Sequence, residues 1–247
     1  MKAVGVIGYK KSGKTTLVKK ILTQLQKKGY QVALIKHTDH EFIDHGHHDT
    51  GQFLNKASQV AMVAGKNAEI IFNYPCSINS ICSFFSADYL LFEGFKQAKI
   101  FPKILCIKHF KEKKELFDGL TLFSASMDFS AKKRGEIDYC ILDQADIETI
   151  TNQIEMKGFM LPDINCGKCG YQDCFSLGKA IIRGLANPRD CVHANKNISV
   201  AINNKEALLN PFLSKLFQNT ICSMLSPLKN VELQNGSQVE IKIKVEK

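Results

Sequence analysis

Eight residues near the start of the chain, Gly8-Tyr9-Lys10-Lys11-Ser12-Gly13-Lys14-Thr15, lie between an apolar run and a segment of helical periodicity. Met1 to Ile7 has the composition of a buried strand, and Thr16 to Lys28 carries Leu17, Val18, Ile21, Leu22 and Leu25 near helical spacing. Glycines let the backbone wrap closely around a phosphate, while successive N–H groups and a helix N-terminus present partial positive charge to it. The pattern is a complete Walker A loop, so Gly8 to Thr16 are the candidate nucleotide-binding residues. Lys14 would reach the terminal phosphates and the Thr15 hydroxyl would hold magnesium.

The 247 residues suit one large α/β domain with smaller appendages. Residues 1–160 alternate strand-like and helix-like segments, the pattern of a mainly parallel sheet covered by helices. Apolar runs at Val32–Ile35, Glu69–Phe72, Tyr89–Phe92, Ile104–Ile107 and Tyr139–Leu142 are the further strands, with helices expected near 50–64 and 145–157. A cysteine module follows over 161–195, and 196–247 reads as a small α+β domain. In it, Ile198–Ile202 and Ala207–Leu209 form a hairpin about Asn203-Asn204, Pro211 opens a helix after Asn210, and Gln238–Val245 returns as a strand.

The formal charge of +9 is unevenly spread, because residues 1–38 hold nine lysines and no carboxylate. A polyanionic ligand at that end accounts for the excess, although Lys19, Lys20, Lys27 and Lys28 also suit the solvated face of the first helix. No aromatic or basic repeat points to nucleic acid, and no run approaches the ~18 apolar residues of a membrane span. Met1 leads directly into the first strand, so a cytoplasmic protein is expected.

Of nine cysteines, Cys76, Cys82, Cys106, Cys140 and Cys222 are scattered among apolar neighbours and read as filler. Cys166, Cys169 and Cys174 share one short glycine-containing segment, and Cys191 follows after a helix-like stretch, Phe175 to Ala186, that Asn187-Pro188 stops. Four thiolates so spaced suit an iron–sulfur cluster. A structural zinc site remains open on ligand chemistry, while a redox dithiol at Cys166 and Cys169 leaves the other two unexplained.

Two further segments carry polar chemistry. Asp88 to Glu93 reads as a buried strand ending in a carboxylate, followed by Gly94. Such a Walker B strand would place Glu93 to hold magnesium or position water, against the plainer reading of a helix-capping or solvated glutamate. The stretch Lys36 to Thr50 contains five of the seven histidines and four carboxylates, which suits either a zinc or nickel site or a polar loop at a nucleotide pocket.

The elements Gly8 to Thr16, Leu34-Ile35-Lys36-His37-Thr38-Asp39-His40, His48-Asp49-Thr50 and Leu91-Phe92-Glu93-Gly94-Phe95-Lys96 together resemble the MobB family of P-loop proteins, over roughly residues 1–157. That resemblance implies GTP and magnesium binding with weak hydrolysis, a homodimer, and work beside a MobA-like nucleotidyltransferase and molybdopterin-handling proteins. It makes Lys36, His37, Asp39, His40 and Asp49 a candidate pterin or metal loop. The sequence departs from the family pattern at His48, where a lysine is usual, and it lacks an Asn-Lys-x-Asp guanine motif; Ser124 to Asp128 is the candidate base loop. Separately, Cys166 to Cys191 with Ala180, Ile181, Ile182 and Gly184 is similar to the small four-iron-four-sulfur domain of electron-transfer and corrinoid proteins. The expected function is that of a GTP-binding accessory protein of molybdenum or tungsten cofactor synthesis with a fused cluster. A nickel metallochaperone GTPase and a nucleotide-gated electron donor are the competing readings.

Overall fold

The structure is a computed structural model and describes residues 1–38, 53, 56–193, 198, 200–202, 205–207, 209, 211–228, 239–241 and 243. The chain divides into two compact units, Met1–Asp190 and Cys191–Lys247.

In the first unit, β1 (Lys2–Gly8) runs through the glycine loop into α1 (Lys14–Lys27), and β2 (Val32–Lys36) follows. A hairpin of β3 (Gln59–Val63) and β4 (Ala68–Phe72) and a short α2 (Ile78–Cys82) precede β5 (Tyr89–Glu93). Then come β6 (Lys103–Cys106), α3 (Phe110–Leu116), β7 (Thr121–Ser126), α4 (Phe129–Lys133), β8 (Tyr139–Cys140), α5 (Gln144–Lys157) and α6 (Cys174–Ile182). Six strands form one sheet in the order β2-β5-β1-β6-β7-β8, and every pairing in it is parallel.

Strands buried on both faces read as continuous apolar runs instead of alternating ones. That is the case for β1, β5 and β6, where every residue but Lys2 is buried. Successive side chains still point to opposite faces. Val6 and Ile104 join the cluster built by Leu17, Ile21, Ile147 and Ile150 of α1 and α5. Their neighbours Ile7 and Leu105 pack instead with Leu116, Ala131 and Ile137. The sheet is thus covered on both sides, and β1 sits in its middle, paired to β5 through Val6 and Glu93 and to β6 through Gly8 and Cys106.

Lys103 is a fully buried lysine at the start of β6. Its ammonium is paired with Asp118 and donates to the Lys96 carbonyl at 2.7 Å. Burial pushes it below the ordinary lysine value, and the Asp118 carboxylate opposes that shift. Asp118 also faces Lys99 at 3.4 Å, and the Lys99 ammonium lies 4.5 Å from the Phe175 ring centroid in α6.

Two expectations are corrected. Of the helix expected near 50–64, Phe53 is helical and residues 50–52 and 54–55 lie outside the described residues, but Gln59–Val63 is a strand, because a turn at Ala64 to Asn67 folds it back on β4 and its β-branched residues suit the ladder. The run Glu69–Phe72, expected in the parallel sheet, lies in this separate antiparallel pair.

In the second unit, β9 (Val200–Ile202) pairs antiparallel with β10 (Lys205–Ala207), and α7 spans Pro211–Leu225. The expected hairpin and proline-initiated helix are both present there. Residues 239–241 and 243 of the expected strand Gln238–Val245 are not in a strand, and the rest of it, with Asn203, Asn204 and Asn210, lies outside the described residues.

Candidate functional site

The loop after β1 is shaped by what cannot be placed in it. A Cβ on Gly8 would overlap the Cys106 carbonyl oxygen and the Ser12 hydroxyl. Gly13 is the N-cap of α1 at φ 94°, a left-handed conformation that favours glycine. The loop thereby turns its backbone inward over an open cleft of about 250 Å³, lined by residues 11–16 and Met127. Such a concavity at the N-terminus of a 14-residue helix suits an anion.

Two polar contacts involve residues of the candidate site. Thr15 Oγ1 donates to Glu93 Oε1 at 2.6 Å, which joins the two candidate magnesium ligands. Lys14 Nζ donates to the Tyr9 carbonyl at 2.7 Å. Ser12 Oγ is buried without a hydrogen-bond partner among the described residues, and an unsatisfied hydroxyl at this depth suits a polar ligand. Beneath the loop, burial pushes the Cys106 thiol up to about 12, so it stays protonated and unreactive.

The parallel register carries the neighbouring strand ends to the same edge. Lys36 pairs with Glu93, and the His37 N–H donates to the Glu93 carbonyl at 2.9 Å. Gly94 takes φ 93° and Phe95 φ 54°, while the Gly94 N–H donates to the Val6 carbonyl at 3.0 Å. Phe95 packs on Phe92 and His37, with ring centroids 5.5 and 5.1 Å away. The Tyr9 hydroxyl donates to Glu115 Oε2 at 3.0 Å, which raises its pKa, and the Lys96 ammonium lies 4.8 Å from the Tyr9 ring centroid.

The structure therefore brings Gly8 to Thr16, Lys36, His37 and Glu93 to one edge. Asp39, His40, Asp49 and the remaining loop histidines lie outside the described residues. Of the candidate base loop, Ser124 to Ser126 belong to β7 and Asp128 caps α4 by accepting from Ser130, so only Met127 reaches the cleft. Its position just beyond the end of a parallel strand is the signal that marks it.

The cysteine segment lies partly in the first unit. Gly167 and Gly170 take φ 68° and 84°, turning the chain between Cys166 and Cys174. Cys166 is exposed, Cys169 half-buried and Cys174 buried, and the Cys174 N–H donates to Asn165 Oδ1 at 2.9 Å. Cys191 begins the second unit and is buried. None of the nine cysteines is in a disulfide, so the donor set fits a soft metal or cluster. Among the described residues, no three His, Cys, Asp or Glu side chains gather as a metal site.

Asp173 caps α6 by accepting from the Ser176 N–H at 2.7 Å, and this bond holds its carboxyl below the ordinary range. The resulting stability is complete above about pH 4 and is lost as pH falls through the still lower folded value. Asp173→Asn keeps the cap without the titration. Denaturant unfolding of both proteins between about pH 5 and pH 2 is expected to show less acid sensitivity in the variant.

A strand, glycine loop and helix, flanked by a parallel strand whose terminal carboxylate meets the loop hydroxyl, define a P-loop protein of the nucleoside-triphosphate-binding class. Comparison with known proteins narrows this class. The family described as "Molybdopterin guanine dinucleotide synthesis protein B" (MobB) matches residues 3–124, and the family described as "Putative Fe-S cluster" matches residues 161–193. A "Putative molybdopterin-guanine dinucleotide biosynthesis adapter protein" from Methanocaldococcus jannaschii is 32% identical over 251 aligned residues, covering 98% of each chain. The molybdopterin-guanine dinucleotide biosynthesis adapter protein of Haemophilus influenzae is 33% identical over 109 residues, 41% of this chain and 61% of that one. A crystal structure of Bacillus subtilis MobB matches with a TM-score of 0.53 at 20% identity, covering 62% of this chain and 98% of the other, which shows a shared fold. The chain belongs to the MobB family.

Proposed function

We propose that this protein binds GTP with magnesium as an accessory protein of molybdenum cofactor synthesis, helping a MobA-like nucleotidyltransferase attach guanine nucleotide to molybdopterin. The observation that carries the reading is the 2.6 Å contact between Thr15 and Glu93, which preassembles oxygen donors for a hard cation beside the phosphate loop. Bound magnesium neutralises phosphate charge; the loop backbone, Lys14 and the α1 N-terminus orient the phosphates. Among the described residues no nucleophile–base pair lines the cleft, so binding dominates and hydrolysis is slow. The relatives named as adapter proteins support the pathway, and a cytoplasmic homodimer working with molybdopterin-handling proteins fits that role.

Cys166, Cys169, Cys174 and Cys191 are proposed to hold a four-iron-four-sulfur cluster, supported by their spacing and by the family match over 161–193. Such a group supplies one-electron chemistry when bound. One preparation tests both parts of the proposal: anaerobic purification with iron and sulfide analysis, then competition between GTP and ATP. A preparation that binds no nucleotide, or binds ATP in preference, refutes the first part; one without iron refutes the second.

A further inference from the structure

We infer that Lys96 is the side chain that distinguishes a nucleoside triphosphate from a diphosphate, and that the buried Lys103–Asp118 pair positions it. This rests on the nucleotide-binding reading above.

The groups nearest the strand end are already committed. The Gly94 N–H is held by the Val6 carbonyl, the His37 N–H by the Glu93 carbonyl, and the Glu93 carboxylate by Thr15. A terminal phosphate approaching from the loop would find no backbone donor at Gly94. The next cation along the chain is Lys96, and the left-handed turn at Gly94 and Phe95 brings it back over the loop.

Two ammonium groups converge on Tyr9 as a result. Lys14 donates to its carbonyl, and Lys96 faces its ring, which the bond to Glu115 orients. Among the described residues no carboxylate pairs with Lys96. A cation held only by an aromatic face is held weakly compared with one in a charge-assisted bond to phosphate. Lys96 thus rests against the Tyr9 side chain of the same loop whose residues 11–16 line the cleft, and a phosphate there would draw it across.

Lys103 explains how that pose is kept. Burying an ammonium is costly, and an apolar residue of similar volume serves a core as well or better. Here the buried charge holds one backbone atom outside its ion pair, the Lys96 carbonyl at 2.7 Å. The Lys103–Asp118 pair therefore fixes the backbone from which the Lys96 side chain reaches.

Equilibrium binding of GDP and of a non-hydrolysable GTP analogue, with magnesium and the full-length protein, tests this. Wild type is expected to favour the triphosphate. Lys96→Met should lower the triphosphate-to-diphosphate affinity ratio about tenfold, the scale of one hydrogen bond to a charged group, and Lys96→Arg should recover much of it. Lys103→Met, checked for a cooperative thermal transition, should lower the same ratio while Lys96 is intact.

An unchanged ratio in Lys96→Met, or equal weakening of both ligands, overturns the inference while leaving nucleotide binding standing. Wild type without a triphosphate preference also overturns it. A Lys103→Met protein that folds and keeps the wild-type ratio removes the positioning role. A wild type that binds neither nucleotide overturns the proposed function and this inference together.

Discussion

Lys14→Ala is expected to weaken GTP binding by roughly 3–5 kcal/mol, about a hundredfold to several thousandfold, while the protein stays folded. Each hydrogen bond between charged groups contributes about 1.5–3 kcal/mol, and a lysine in this loop serves two phosphates. The α1 N-terminus and the loop N–H groups remain in the variant, so residual binding reflects their share. The fold is insulated because the Lys14 Nζ bond to the Tyr9 carbonyl at 2.7 Å is a surface bond, whereas the core side of α1 is built by Leu17, Val18, Ile21 and Leu25. Calorimetric titration with GTP, paired with a thermal unfolding curve, separates the two effects. Affinity equal to wild type would remove nucleotide binding from this loop.

The second large effect is expected on metal content. Cys174→Ala in anaerobically prepared protein should reduce iron from about four per chain to below one and abolish the visible absorbance of the cluster. A cluster of that type needs four protein thiolates, and Cys174 sits at the first turn of α6, just after the Asp173 cap. Its buried position also means that alanine leaves a small gap, so a modest loss of stability accompanies the loss of iron. Cys76→Ala, at an exposed cysteine outside the matched segment, should retain full iron. Structural zinc predicts something different: roughly one metal ion per chain and no visible colour in either protein. GTP affinity measured on the same samples is expected to be unchanged, since the phosphate loop and Glu93 do not include these thiols.

The phosphate loop is legible in sequence because its chemistry is local. Gly8, Gly13, Lys14 and Thr15 must be adjacent to work, and the apolar runs on either side declare strand and helix. The Glu93 strand is legible for a similar reason, although its contact with Thr15 bridges 78 positions and only the parallel register of β5 on β1 creates it. Gln59 to Val63 misleads because five residues with valines and a methionine suit either period, and the arbiter is its partner beyond the turn. Lys103 is invisible in another way: a lysine at a strand start reads as solvated until Asp118 and the Lys96 carbonyl are seen around it. Met127 reaches the cleft only because β7 ends at Ser126, a boundary that periodicity does not supply.

Lys2 pairs with Tyr89 and Gly5 with Lys103, so β1 has no partner of its own until chain far beyond it has been made. Parallel contacts of such separation form late, because loop closure must precede the reward. The glycine loop hangs from that strand, and Cys106 and Glu93, which brace it, lie on the two late partners. A folding chain therefore has no phosphate cradle until the centre of the sheet is complete. Nucleotide acts on the finished sheet alone, and by mass action its presence draws the chain toward that state.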